Sequence, residues 1–380
     1  MNAKLVAVVI AGLVAAVPAL AQAQAGNVTL YGRLNLSMEL VNGKQPGAGC
    51  PDNCPNPNVF RVSSNSSQFG LRGSEPVGAG VNAVFQIESS VFLDPGGGVL
   101  AGRESFIGLQ GPWGTVKWGS FLSPYDDILP IFGNAPTLTT SILSTAALWA
   151  QGYLGKPVNG GFDDRIPNSV RYDSPTLSGF NGSVQFGTAE GTPRSNSHVV
   201  SLGGFYNNGP VQLGVSYETH NRIRGTADAP LTDKALSIAG GYQFESIRVS
   251  GVYERLRYDV TPSTDLKRDF WGVGATVDAG PGLVYLFWGR AGDGKGSAAN
   301  GTRIGRLTKG ESTGSSQWEI SYTYVMSART LLYAGVTRIN NASNAAYTFN
   351  GDVYPIVCDA YPNGSCGKPS GFILGAAHFF

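Results

Sequence analysis

Two adjacent carboxylates in "SPYDDILP", Asp126 and Asp127, are the residues whose types and spacing most suggest chemistry. Paired carboxylates serve as acid–base dyads, as calcium ligands or as the charged lining of an aqueous passage. A dyad needs a partner nucleophile, and none accompanies this pair. Calcium needs more oxygen ligands than the stretch guarantees. Lining a passage is favoured over a plain solvated surface. The three histidines, His198, His220 and His378, carry no neighbouring Ser or Asp motif that would make a nucleophile and base. The glycine runs "DPGGGV" and "GDGKGS" lack the phosphate-loop pattern and read as flexible tips. Cys50, Cys54, Cys358 and Cys366 do not have zinc spacing, and no histidine lies near them. No metal and no cofactor is implied.

The N-terminus fixes the compartment. Lys4 precedes the apolar run "LVAVVIAGLVAAV", and Pro18 and "ALAQA" then offer small residues for cleavage. This is the pattern of an export signal over residues 1–23, cut after Ala23, with residues 24–380 as the mature domain. The run falls short of the ~20 residues a membrane helix needs. Export places the cysteines in an oxidising compartment, where an even count suggests disulfides. Sequence proximity favours Cys50–Cys54 and Cys358–Cys366 as loop clips. The formal charge of +1 argues against nucleic acid as a partner.

The positioning elements read as long strands. In "VTLYGRLNLSMEL" the residues Val28, Leu30, Leu34, Leu36, Met38 and Leu40 share one parity, while Thr29, Tyr31, Arg33, Asn35, Ser37 and Glu39 share the other. A strand of period 2 has one greasy and one wet face, and this one is roughly twice the usual length. The alternation recurs near 81–88, 211–218 and 317–326. Tight turn chemistry at "GPWG", "NNGP", "ES", "GPG" and "SART" alternates with long polar links at 42–59, 93–102, 122–167, 190–196, 222–231, 260–267, 293–313 and 344–368. The runs between them make about sixteen strands, with turns at one end and loops at the other. A soluble sandwich would use shorter, closer strands. The pattern instead predicts an all-β, sixteen-stranded antiparallel transmembrane barrel, closed because an open edge cannot satisfy its backbone in hydrocarbon. Tyr206, Tyr242, Phe244, Tyr253, Tyr322 and Tyr324 fit its interfacial girdle. At this strand number the interior holds water.

Several segments resemble the trimeric general porins of Gram-negative outer membranes: "NVTLYGRLN", "SSQFGLRGSEPVGAGVNAVFQIES", "RESFIGLQGPWGTVKWG", "NSVRYDSPTLSGFNGSVQFG" and the terminal "FILGAAHFF". The likeness spans the mature chain with the motifs in the family's order. It implies an outer-membrane homotrimer that passes small hydrophilic solutes and ions by diffusion. It also implies a C-terminal signal, Phe380 with His378, read by the barrel assembly machinery, and a third long loop folded into the lumen.

The residues themselves support the last point. The 122–167 link is about 45 residues, far beyond an ordinary connection. It contains "LTTSILSTAALWAQGYL", which is too apolar for water, and "STAALWAQ" suits a short helix. Docked on the inner wall, such a loop narrows the passage and brings Asp126 and Asp127 to it. Inward parity assigns a facing basic row of Arg33, Arg72, Lys117 and Arg171, and resemblance adds Arg103. Gln68 and Ser120 stand where the family often has cations, which weakens any anion preference. A substrate-specific channel would show an inward aromatic ladder, and none is found. A barrel enzyme or an adhesin is the weaker alternative.

Overall fold

The computed structural model describes residues 27–44, 58–134, 141–150, 161–188, 190, 196–226, 228–349 and 367–380. Among these, sixteen antiparallel staves close into a barrel. The first four are β1 (Asn27–Lys44), β2 (Val59–Ser64 continued by Gln68–Gly78), β3 (Val81–Val91) and β4 (Ser105–Gly111, preceded by Gly98–Val99). They lead to β5 (Gly114–Leu122), β6 (Arg165–Asp173), β7 (Phe180–Thr188) and β8 (His198–Asn208). The long central staves are β9 (Val211–Gly225), β10 (Pro230–Phe244), β11 (Ile247–Thr261) and β12 (Thr264–Ala279). The last are β13 (Gly282–Ala291), β14 (Ser315–Val325), β15 (Thr330–Asn341) and β16 (Lys368–Phe379).

Closure is made by β1 against β16, in register from Arg33↔Phe379 to Lys44↔Lys368. The terminal Phe380 locks this seam: its N–H donates to the Gly32 carbonyl at 3.1 Å, and Gly32 N–H donates back at 3.0 Å. His378 sits on the same strand, with Nδ1 3.0 Å from Thr330 Oγ1. On its other side β1 meets both halves of β2, and the break between them, at Asn65–Ser67, is bridged by Ser67 Oγ to the backbone of Asn35.

The parity read from the sequence is the parity of the barrel. Leu30 and Leu40 are 59% and 53% exposed, whereas Asn35 and Glu39 are 0% exposed. Apolar side chains therefore face out and polar ones in, the reverse of a water-soluble core, as hydrocarbon outside and a polar interior require. The tight turns fall where the sequence placed them, at Pro112–Trp113, Gly209–Pro210, Glu245–Ser246, Gly280–Pro281 and Met326–Arg329.

Two links were misread. The stretch 260–267 is no long loop: β11 and β12 run on to Thr261 and from Thr264, leaving only Pro262–Ser263 as the turn. The stretch 222–231 likewise belongs largely to β9 and β10, which reach Gly225 and begin at Pro230. At these strand ends the pattern inverts: outward Arg257, Asp259 and Lys267 are polar while inward Leu256, Tyr258 and Leu266 are buried, so the greasy-out alternation that marks a stave is lost. The expected helix in "STAALWAQ" is reduced to a 3-10 turn, Thr145–Ala147, whose Ala146 N–H donates to Ser144 Oγ at 3.3 Å. Residues 1–23 and the four cysteines lie outside the described residues, as does most of the 344–368 link.

Ile238, outward and near the middle of β10, tests the inside-out packing. Ile238→Lys is expected to cost about 2–4 kcal/mol in urea unfolding from bilayers. A loss within about 0.5 kcal/mol, the usual result on a water-facing surface, would contradict it.

Candidate channel constriction

The segment between β5 and β6 turns inward and lies on the wall. It opens with a 3-10 turn, Asp126–Ile128, and one helical turn, Leu129–Phe132. Tyr125, Ile128, Leu129, Phe132, Leu143, Trp149 and Phe162 are all buried, in one cluster with wall residues such as Val252, Leu256, Tyr285 and Ile373. Tyr125 and Trp149 stack at 5.3 Å, so the two limbs of the segment pack on each other. The wall leaves room for it at glycines. A Cβ at Gly214 would stand 2.7 Å from Ile131 Cδ1, and one at Gly371 would stand 2.7 Å from Ile142 Cδ1.

A segment so short of regular structure must find partners for its backbone elsewhere. The wall supplies them. Glu254 on β11 and Arg268 on β12 form an ion pair with both side chains fully buried. Glu254 Oε1 accepts from Tyr125 Oη at 2.9 Å and from the Ala150 N–H at 2.7 Å. Arg268 Nη1 donates to the Leu148 carbonyl. One buried pair thus holds both limbs. Around it Ser216 Oγ donates to the Pro124 carbonyl (3.0 Å), Arg248 to that of Ile131 (2.7 Å) and Tyr285 Oη to that of Phe132 (2.5 Å). Gln317 donates to the Ser144 carbonyl at 2.9 Å, and Trp149 Nε1 to Ser237 Oγ at 3.1 Å. The end of the near limb is tied to β14 by Asn134, which donates to Ser321 Oγ at 2.8 Å and to Glu319 Oε1 at 2.5 Å. These hydrogen-bond partners lie on β9 to β14, and the apolar contacts run on to Gly371 and Ile373 on β16, so the segment covers the β9 to β16 side of the lumen.

The charged residues singled out from sequence lie largely on the other side. Arg171 is the hub. It pairs with Asp127, donates from Nε to Asp173 Oδ1 at 2.7 Å and from Nη1 to the Leu122 carbonyl at 2.9 Å. Lys117 continues the chain, 3.2 Å from Asp173 Oδ2 and 5.2 and 5.1 Å from the ring centres of Phe106 and Phe121. Arg103 pairs with Glu88 at 2.6 Å, and Glu88 also accepts from Tyr31 Oη and Gln68 Nε2 at 2.9 and 3.1 Å. Arg33 donates to the Ser66 carbonyl at 3.0 Å, inside the break of β2. Arg72 is exposed, its guanidinium 4.9 Å from the Tyr31 ring centre.

The two neighbouring aspartates differ. Asp127 reaches Arg171, but burial outweighs that cation and holds its carboxyl above the usual range. Asp126 is buried, and burial, followed by the charge of Asp127, pushes it up to about 8. Its other charged surroundings are Arg165, which opposes the shift, and Glu104 and Asp164, which add to it. Asp163, itself raised mainly by burial and then by Asp126, faces the same place.

Sequence reading passed over Glu254 and Arg268, and also Glu88 and Asp173. Glu88 was visible on the inward parity of β3. Glu254 and Arg268 also have inward parity, but parity names a face and not a partner. Of the histidines, His220 lies on the inner face with Nε2 2.7 Å from Glu218 Oε1, and His198 contacts the Asn196 carbonyl at 2.8 Å.

A closed barrel, greasy outside and polar inside, with one long segment pressed to its inner wall, defines a membrane channel. The comparisons give its family. The sequence matches the Gram-negative porin family over residues 6–344, and the chain belongs to that family. It is 28% identical over 372 residues to an outer membrane porin protein of Bordetella pertussis, covering 85% of this chain and 91% of that one. It is 30% identical over 225 residues to the major outer membrane protein P.IB of Neisseria meningitidis serogroup B, covering 56% and 60% of the two chains. Among solved structures, an anion-selective porin from Comamonas acidovorans superposes with a TM-score of 0.74 at 20% identity, over 93% of this chain and all (100%) of that one. The trimer form of OmpT from Vibrio cholerae gives 0.66 at 14% identity, over 94% of this chain and 100% of that one. The chain is an outer-membrane porin, a channel for passive diffusion.

Arg268→Met leaves Glu254 buried without its cation, and is expected to cost about 3–5 kcal/mol in unfolding and to make single-channel currents noisy. The double variant Glu254→Gln/Arg268→Met should recover much of the stability, since no lone charge remains. Asp126 gives a pH signature. Its folded value lies above the unfolded value of about 4, so stabilisation present below pH 4 is given up as pH rises and is gone above about 8. The thermal midpoint of the native chain should fall between pH 5 and 9 more steeply than that of Asp126→Asn.

Proposed function

We propose that the narrow part of the channel lies between the inward segment and the wall of β1 to β6, at Asp126, Asp127, Arg33, Arg72, Arg103, Lys117 and Arg171, with Asp127 and the cations setting its charge at neutral pH and Asp126 adding to it only at high pH. The observation that carries this reading is the one-sided seating of the segment on β9 to β16, anchored through Glu254 and Arg268. Water and solutes are left the opposite side, where the named cations stand. Solutes move down their gradient with no covalent step, and no cofactor is required. Small hydrophilic solutes and ions of either sign are the cargo, because the cations are mostly paired to carboxylates and the net field is weak.

Three copies form the working unit in this proposal. The trimer form of OmpT supports it by fold alone. Residues 1–23 serve as the export signal, and residues 24–380 form the channel. The assembly machinery reads Phe380 and His378, and the cysteines close loop clips.

Planar-bilayer recording under a salt gradient tests the charge assignment. At pH 7 Asp126 is held protonated, so Asp126→Asn should leave the reversal potential where it was, whereas Asp127→Asn should move it toward anions. At pH 9 both substitutions should do so. No movement with Asp127→Asn would place the narrow part elsewhere.

A further inference from the structure

Most polar side chains on the covered wall spend their hydrogen bonds on the inward segment or on one another, but one row keeps oxygens to spare. In the strand register Gln185 on β7 stands opposite Ser201 on β8, and Ser201 opposite Glu218 on β9. All three lie on the inner face and are 0%, 0% and 1% exposed. Each holds an oxygen that no donor reaches: Gln185 Oε1, Ser201 Oγ and Glu218 Oε2. Ser183 Oγ, two residues along β7, is a fourth. Native folds leave few such groups, and four on three adjoining strands need a common explanation.

The satisfied atoms say where the spare ones are left. Gln185 Nε2 donates to Ser169 Oγ at 2.9 Å, on the β6 side, which turns Oε1 away from β6. Glu218 Oε1 lies 2.7 Å from His220 Nε2, farther along β9, so Oε2 is the oxygen left to the row. Neighbouring strands are ~4.8 Å apart, within reach of a glutamine and a glutamate that flank a serine. The two ends of the inward segment roof the row. Gln185 Nε2 also reaches the Phe121 carbonyl at 3.4 Å, Ser216 Oγ donates to the Pro124 carbonyl at 3.0 Å, and the Phe162 ring centre is 4.5 Å from that of His220.

We propose that Gln185, Ser201 and Glu218, with Ser183 beside them, hold a monovalent alkali cation such as sodium between the wall and the base of the inward segment. The donors are all oxygens, which suit a hard cation and not zinc or copper. A water molecule has two protons for four waiting acceptors and brings no charge to Glu218. No lysine or arginine among the described residues pairs with that carboxylate, whose one ionisable contact is His220. Three acidic or histidine side chains do not converge anywhere among the described residues, so a single carboxylate with neutral oxygens is the donor set on offer. One negative charge balances one positive charge. Calcium, which collects six to eight oxygens and binds more tightly as carboxylates are added, is poorly matched. The ion sits behind the segment and outside the solute path, where it fixes the two ends from which the segment springs.

The test uses the full barrel in a neutral detergent, with sodium, potassium, calcium and choline chlorides compared at equal ionic strength. The thermal midpoint should stand about 3–6 °C higher in sodium than in choline, rising to a plateau as sodium is titrated in. Glu218→Gln removes the charge and should lose that dependence. The milder Ser201→Ala, which removes one ligand, should need at least several-fold more sodium to reach the plateau. Sodium-23 relaxation should report an exchanging bound ion in the native barrel and none in Glu218→Gln. Equal midpoints for the native barrel in sodium and choline would overturn the proposal, and so would a sodium response that survives Glu218→Gln. A response to calcium alone would overturn the assignment to a monovalent ion.

Discussion

Everything inside this barrel depends on how a carboxylate and a guanidinium can be kept dry together. Burying either alone costs several kcal/mol, and the pair offsets that cost only when its remaining donors and acceptors are also satisfied. Glu254 and Arg268 meet the condition by taking partners from the inward segment: a phenol and an amide on the acid, and a carbonyl on the base. The dependence runs both ways. Without the segment the pair would face water, and without the pair the limbs around Tyr125 and Ala150 would lose the point where they meet. A barrel wall that is polar on its inner face is therefore not simply a wall for water.

The interior divides into two environments. Over β9 to β14 the inward side chains hold protein: two serines, a glutamine and Tyr285 each spend a hydrogen bond on a backbone carbonyl or indole of the segment. Over β1 to β6 the inward side chains are charged and pair laterally, Arg103 with Glu88, Lys117 and Arg171 with Asp173. Packing density explains the split. A closed interior of this size is too wide for side chains to fill, so a segment must either occupy part of it or leave it wet. Gly214 on β9 and Gly371 on β16 mark the two edges of the side that was filled.

This division sets what the sequence could reveal. Strand parity was legible because two different solvents act on the two faces, and Leu30 against Asn35 shows it without a structure. The fold followed from repeating that contrast. Where the contrast inverts, legibility fades: Asp259 and Lys267 are polar on the outward face, and the strands carrying them looked like loop. The inward course of 122–167 could be inferred from "ILSTAALW", since an apolar loop must dock, but the wall that receives it could not. Parity gives Glu254 and Glu88 the same reading, although one is sealed against Tyr125 and the other shares a cluster with Arg103 and Gln68. Asp126 and Asp127 were equally conspicuous, and adjacency concealed that one is buried while its neighbour reaches Arg171.

Pairing also bears on how selective such a channel can be. A lone guanidinium projects its field into water over about one Debye length, ~8 Å at physiological salt. Once Arg171 is shared between Asp127 and Asp173, and Arg103 is held by Glu88, the far field is that of opposed charges a few ångströms apart and falls off faster. A solute in the middle of the passage then feels little preference for sign, while one that brushes the wall meets alternating charges that orient its dipole. Arg72, exposed and held over the Tyr31 ring, and Arg33, which donates to the Ser66 carbonyl, are the exceptions: neither forms an ion pair with a carboxylate among the described residues. Broad passage of polar solutes with a slight bias is the behaviour that follows from a wall built of pairs, and a strongly selective channel would have had to leave more of these cations as free as Arg72.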